Sequence, residues 1–246
     1  MKKILTAALL GLSLNSFAND APLWLRFSAI SPDGQTIAFS YKGDIFSVPV
    51  NGGTAKQLTT NSAYDAYPVW SPDGQKIAFA STREGSMDVY LMDKNGGVPK
   101  RLTTNSGNET PMAFTDNSHV LFTSAGMPTA KSIFFASGTF PQTYEVGIDA
   151  SRPRLYSPMT MYDVSIRSNG DILYHDAKGY EDNFRKHHRS PVTRDIWLYS
   201  KGNYTKLTDF NGEDRTPVWA GNDNAYYYLS EEDGTFNVYK RNIDGS

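Results

Sequence analysis

Cysteine is absent from all 246 residues. That excludes disulfide staples, thiol nucleophiles and zinc–thiolate centres, so the fold is held without cross-links. An excess of one charge is also missing. Lys and Arg number 24 and Asp and Glu 26, a formal net charge of −2, which leaves no basic footprint for nucleic acid. Past the N-terminus no apolar run approaches the length of a membrane-spanning helix. Catalytic signatures are missing too: no Gly-x-Ser-x-Gly elbow, phosphate-binding loop, dinucleotide glycine fingerprint or His-Glu-x-x-His helix occurs. The only histidines are His119, His175, His187 and His188, and His119 and His175 read as polar residues at strand ends. The sequence therefore nominates no catalytic residue, no cofactor and no metal ligand.

Aromatics and turn formers are plentiful, with 15 Tyr, 13 Phe, 20 Gly and 13 Pro. They fall into a pattern that is clearest from Asp65 to Thr104. Asp65-Ala66-Tyr67-Pro68-Val69-Trp70 leads to a turn at Ser71-Pro72-Asp73-Gly74, then to Lys76-Ile77-Ala78-Phe79-Ala80-Ser81. Asp88-Val89-Tyr90-Leu91-Met92 follows, then a turn at Asn95-Gly96-Gly97 and a last run at Lys100-Arg101-Leu102-Thr103. These are four short runs of β-branched and aromatic residues, each bounded by turn chemistry.

The pattern repeats. Ser31-Pro32-Asp33-Gly34 precedes its copy by 40 residues, and Ile37-Ala38-Phe39 answers Ile77-Ala78-Phe79. Asn51-Gly52-Gly53 and Leu58-Thr59-Thr60-Asn61 recur 44 residues later as Asn95-Gly96-Gly97 and Leu102-Thr103-Thr104-Asn105. A four-stranded unit at this period is the signature of a propeller blade, because one such meander cannot bury both faces alone. The expected fold is all-β, a β-propeller of four-stranded antiparallel blades. The blades fall near residues 25–61, 65–105, 109–156, 161–209 and 214–246, with enlarged loops at 125–140 and 177–194. The fifth stops at the turn that elsewhere leads to the fourth strand. The expectation is an incomplete ring, a fragment of a longer polypeptide.

Residues 1–18 stand apart from the repeat. Lys2 and Lys3 precede an apolar stretch from Ile4 to Leu14, and Ser16-Phe17-Ala18 offers small residues around a cleavage point. This reads as a secretory signal peptide cleaved after Ala18, leaving residues 19–246 as the propeller domain of an exported, periplasmic protein.

Two polar features invite a functional reading. In the loop Tyr180 to Arg189, the cluster Arg185-Lys186-His187-His188-Arg189 stands close to Glu181 and Asp182. It reads either as a solvated surface loop or as a contact patch for an acidic or C-terminal carboxylate group of a peptide or partner. Acids also recur at blade starts (Asp65, Glu109, Asp214) and before third strands (Asp44, Asp88, Asp195). Recurrence at fixed positions points to a scaffold task, hydrogen bonding to turn amides.

The stretch Tyr67 to Phe79 resembles the WD-like propeller repeats of TolB and of tricorn-type proteases. Pro22 to Gly34 with Lys42-Gly43-Asp44-Ile45, the loop Lys178 to Arg189, and Arg194-Asp195-Ile196-Trp197-Leu198-Tyr199 are more similar to bacterial tricorn protease homologues. That resemblance implies a six-bladed N-terminal propeller followed by a seven-bladed one, a PDZ-like module and a C-terminal serine-peptidase domain. The propellers of such a protein would channel peptides to or from the proteolytic chamber. It also implies a homo-oligomer at full length, with peptides and the downstream domains as partners and no cofactor. Two other readings stay open: a TolB-like periplasmic protein-binding propeller, and the propeller lid of a prolyl-oligopeptidase-like hydrolase.

Overall fold

The computed structural model describes residues 24–125, 141–179, 190–221 and 224–245. The first sheet contains β1 (Arg26–Ile30), β2 (Thr36–Tyr41), β3 (Asp44–Pro49) and β4 (Lys56–Gln57). The second contains β5 (Asp65–Trp70), β6 (Lys76–Glu84), β7 (Ser86–Asp93) and β8 (Lys100–Arg101). The third contains β9 (Glu109–Asp116), β10 (His119–Ser124), β11 (Gln142–Gly147) and β12 (Arg154–Ser157). The fourth contains β13 (Tyr162–Ile166), β14 (Ile172–His175), β15 (Ile196–Ser200) and β16 (Asn203–Lys206). The fifth has three strands, β17 (Asp214–Trp219), β18 (Ala225–Ser230) and β19 (Asn237–Asn242). Every pairing is antiparallel and sequential, as a propeller of meander blades requires.

Local chemistry explains the first turn of each early blade. In the first, Ser31 Oγ donates to Asp33 Oδ1 at 2.6 Å, Asp33 Oδ1 accepts the Gln35 N–H, and Ser31 Oγ accepts the Thr36 N–H. Ser71, Asp73, Gln75 and Lys76 copy every bond in the second. Gly34 and Gly74 close these turns at φ 69° and 66°, where a side chain would be strained. Those hydrogen bonds hold the Asp33 and Asp73 carboxyls below the usual carboxylate range.

The core lies between blades. Ala38, Ile45 and Leu58 meet Ile77, Phe79, Tyr90 and Met92, closing the first blade on the second. Ala78, Val89, Leu91 and Leu102 meet Phe114, Val120, Phe122 and Tyr144. Leu121 meets Met161, Ile172 and Tyr174, and Leu173 and Ile196 meet Trp219, Tyr226 and Tyr228. The alternation of the pleat thus turns Ile77 and Phe79 towards the preceding blade and Ala78 towards the next. Tryptophan adds a bond across the junction: Trp70 Nε1 donates to Ala29 O at 3.1 Å, and Trp219 Nε1 to Ser165 O at 3.0 Å.

The first strands β1, β5, β9, β13 and β17 pack in succession around a common axis. Among the described residues, no comparable packing joins β17 back to β1.

Candidate functional site

The first strand of each blade carries a β-bulge, and the residue at the bulge faces the axis. In four blades that residue is not glycine yet takes positive φ: Phe27 at 52°, Tyr67 at 56°, Asp163 at 47° and Thr216 at 54°. In each case the register slips by one residue, between Arg26 and Ala29, Ala66 and Val69, Tyr162 and Ser165, and Arg215 and Val218. The third blade has Pro111 there, whose ring fixes φ at negative values. Its bulge moves accordingly: Pro111 pairs with Phe122 and Ala113 with Leu121, so the extra residue is Met112. Bulges re-aim side chains, and strain repeated at one level of a fold marks where the backbone is constrained for a purpose.

Four of the bulge residues, Phe27, Tyr67, Met112 and Asp163, line a cavity of about 660 Å³ among β1, β5, β9 and β13. Phe27 and Tyr67 close one wall, their ring centroids 3.8 Å apart, and Met112, Tyr162 and Val164 contribute elsewhere. The size suits a side chain or a short length of peptide.

A polar brace joins this cavity to the last junction. Thr216 Oγ1 donates to Asp163 Oδ2 at 2.7 Å, and the Thr216 N–H donates to Nδ1 of buried His175 at 3.3 Å. His175 stacks on Tyr162 with centroids 5.7 Å apart, and its Nδ1 lies 3.6 Å from Asp163 Oδ2. Burial first, with Arg194 and Arg215 adding to it against Asp163, lowers the His175 imidazole to about 4. The ring is neutral near pH 7, with its proton on Nε2, which leaves Nδ1 to accept the strained Thr216 amide. A hydroxyl, an imidazole and a carboxylate are together here, but the hydroxyl is turned to the carboxylate and not to the ring. The cluster fixes a strand; it does not activate a nucleophile.

His175 ends β14, as the sequence suggests, and it also reaches the next blade. Its partner lies 41 residues away in the next blade, and no local signal marks that contact. His119 does sit at a strand start, paired to Asp116 at 3.1 Å on the surface. The cluster Arg185, Lys186, His187, His188 and Arg189 lies outside the described residues. Among the described residues no group of three or more His, Asp or Glu could hold a metal ion.

The recurrent acids have a task other than bonding turn amides directly. The Ile45 N–H donates to Thr59 Oγ1 at 2.9 Å, and that hydroxyl donates to Asp44 Oδ1 at 3.1 Å. Val89 and Ile196 donate in the same way to Thr103 and Thr208, at 2.9 and 3.0 Å. Asp65 and Asp88 take cations, Arg83 Nη2 at 2.7 Å and Arg101 Nη2 at 2.8 Å. Asp195 accepts Lys178 and Lys206. Asp44 is thus bonded by the threonine of its Leu-Thr pair, while Asp65, Asp88 and Asp195 are held by cations, so the recurrent acids serve the scaffold through different contacts.

Comparison with known proteins agrees with this architecture. The family model of the tricorn protease N-terminal beta propeller domain matches residues 22–246. Tricorn protease homolog 1 of Streptomyces coelicolor is 29% identical over 230 residues, 92% of this chain and 20% of that protein. The chain thus spans about one-fifth of that relative's length. The crystal structure of the tricorn protease superposes with a TM-score of 0.71 at 21% identity, over 90% of this chain and 22% of that one. A putative TolB from Agrobacterium tumefaciens superposes with a TM-score of 0.68 at 16% identity, over 91% and 78%.

Proposed function

Because the chain belongs to the tricorn protease N-terminal β-propeller family, we propose that it is the first propeller of an exported tricorn-like serine peptidase and guides peptides to or from a proteolytic domain elsewhere in the protein. The observation that carries this is the cavity of about 660 Å³ on the axis, walled by side chains that strained bulges turn inwards. In this reading residues 1–18 act as the export signal and the working protein is periplasmic, while the tricorn relatives support a homo-oligomer at full length. Among the described residues no helix is long and apolar enough to cross a membrane.

The test is peptide hydrolysis by the parent polypeptide that carries residues 19–246. Ser28 borders the cavity, and Ser28→Trp places a large ring in it. Turnover of long peptides is expected to fall severalfold while dipeptide-sized fluorogenic substrates are cleaved as before. A parent without peptidase activity, or equal slowing of short and long substrates, would sink this reading. A second reading rests on the superposition with the TolB protein, 78% of which this chain covers. In that case the chain is a protein-binding propeller with no peptidase attached, and the parent shows no hydrolysis at all.

A further inference from the structure

Resting on the reading of the cavity as a peptide passage, we propose that Asp163 makes it selective for the cationic groups of peptides, an α-ammonium or a Lys or Arg side chain. Asp163 is the one charged residue among the described residues that line the cavity. The rest of the wall is apolar, aromatic or neutral polar, with Phe27, Tyr67, Met112 and Tyr162 as its large members. A carboxylate beside such walls attracts a cation more strongly than it would in open water. The aromatic faces add to the same preference, because the negative face of a ring attracts ammonium and guanidinium groups.

The carboxylate is held ready and is not neutralised from within. Its Oδ2 accepts the Thr216 hydroxyl at 2.7 Å, which fixes the rotamer, and half of the side chain remains exposed. No Lys or Arg nitrogen lies within ion-pair distance of it among the described residues. The neighbouring cations are engaged elsewhere: Arg194 Nη1 holds Glu213 Oε1 at 2.6 Å, and the Arg215 guanidinium lies 4.1 Å from the Phe236 ring centre. His175 Nδ1, at 3.6 Å, accepts the Thr216 amide and brings no proton to the carboxylate. The φ of 47° at Asp163 adds a structural reason for this residue type, since Asp tolerates the left-handed region better than bulkier side chains. Anionic ligands would meet a carboxylate and no compensating cation among the described lining residues, and are disfavoured on the same ground.

The experiment is isothermal titration of the intact chain with three five-residue peptides that differ only in charge. One is capped at both ends with a central norleucine. The second replaces norleucine by Lys, and the third keeps norleucine but leaves the N-terminus free. The cationic peptides are expected to bind about tenfold more tightly than the capped neutral one, as a charge-assisted hydrogen bond provides. Whichever of the two shows the gain identifies the side chain or the terminus as the recognised group. In Asp163→Asn, whose amide oxygen can still accept from Thr216, the difference between the cationic and the neutral peptides should vanish. Equal binding of all three by the unmodified chain overturns the selectivity and leaves the peptide passage standing. Binding of none overturns both. The peptide series needs no variant, so a folding defect in Asp163→Asn cannot mask the outcome.

Discussion

Glu109 is fully buried, and its Oε2 meets no conventional donor; the same is true of Oδ1 of Asp88, across the junction between the second and third blades. Burial raises the Glu109 carboxyl to about 7, with the Asp88 charge adding to it against hydrogen bonds from Thr103 and Asn105. Burial also raises Asp88, although Arg101 works against that. One proton shared between the two carboxyls would satisfy both orphaned oxygens. The sign of the pH effect follows. The folded state keeps that proton at pH values where the unfolded chain has lost it. The stability it contributes is therefore complete below about pH 4.5 and is lost as pH rises through 7. Glu109→Gln supplies a permanent N–H donor in the same shape. It should unfold at a higher urea concentration than the unmodified chain at pH 8, by at most about 3 kcal/mol, and the advantage should vanish at pH 5. If the two urea midpoints keep a constant separation from pH 5 to 8, the shared proton is not there.

At the scale of the strand, the Leu-Thr pair is a clasp. The Leu102 N–H donates to Val89 O at 2.8 Å while the Val89 N–H donates to Thr103 Oγ1 at 2.9 Å, so the last strand grips both sides of one residue. Leu58 with Thr59 grips Ile45, and Leu207 with Thr208 grips Ile196, by the same two bonds. Thr103→Val keeps the shape but leaves a buried amide without an acceptor. The expected loss is about 1–3 kcal/mol in urea unfolding, against no more than about 0.5 kcal/mol for exposed Thr104→Val. Equal effects at the two positions would mean that the hydroxyl of Thr103 is not what holds the strand.

The strands around the clasp were legible beforehand because their signals are local. Ser31 to Thr36 and Ser71 to Lys76 complete their turns within six residues, and the Ile-Ala-Phe triplets announce a two-sided pleat. The clasp showed only as a repeated Leu-Thr, with its bonding unstated. The cavity was not legible either. Its bulges depend on how five first strands crowd one axis, and positive φ at Phe27, Tyr67 or Thr216 contradicts the ordinary preference of those residues. Local charge is densest at Arg185 to Arg189, which lies outside the described residues. Asp163 is an isolated acid in the sequence, and its neutral surroundings are assembled only by the fold.

At the scale of the whole molecule, two blade faces lack, among the described residues, the neighbouring sheet that the other faces have. Ile37, Phe39, Phe46 and Val48 correspond in the first blade to residues that the second buries, yet here they border an open cleft of about 540 Å³. On the fifth blade the outward face shows Val218, Tyr227, Phe236 and Val238, respectively 51%, 43%, 38% and 70% exposed, while Tyr226 and Tyr228 on the inward face are buried. Contiguous apolar surface of this kind favours association. The outer strand β19 carries Lys240 and Arg241, charges that oppose edge-to-edge strand addition, so the contact is expected through the faces. Light scattering of the 246-residue chain should then show mass rising with concentration, together with enhanced fluorescence of a hydrophobic dye. Val218→Lys with Val238→Lys, both on the exposed face, should suppress the rise without lowering the thermal midpoint, since neither side chain is buried. A chain that stays monomeric and dye-silent at all concentrations would show that these two faces are tolerated in water, and that closure against a further sheet is not what their composition requires.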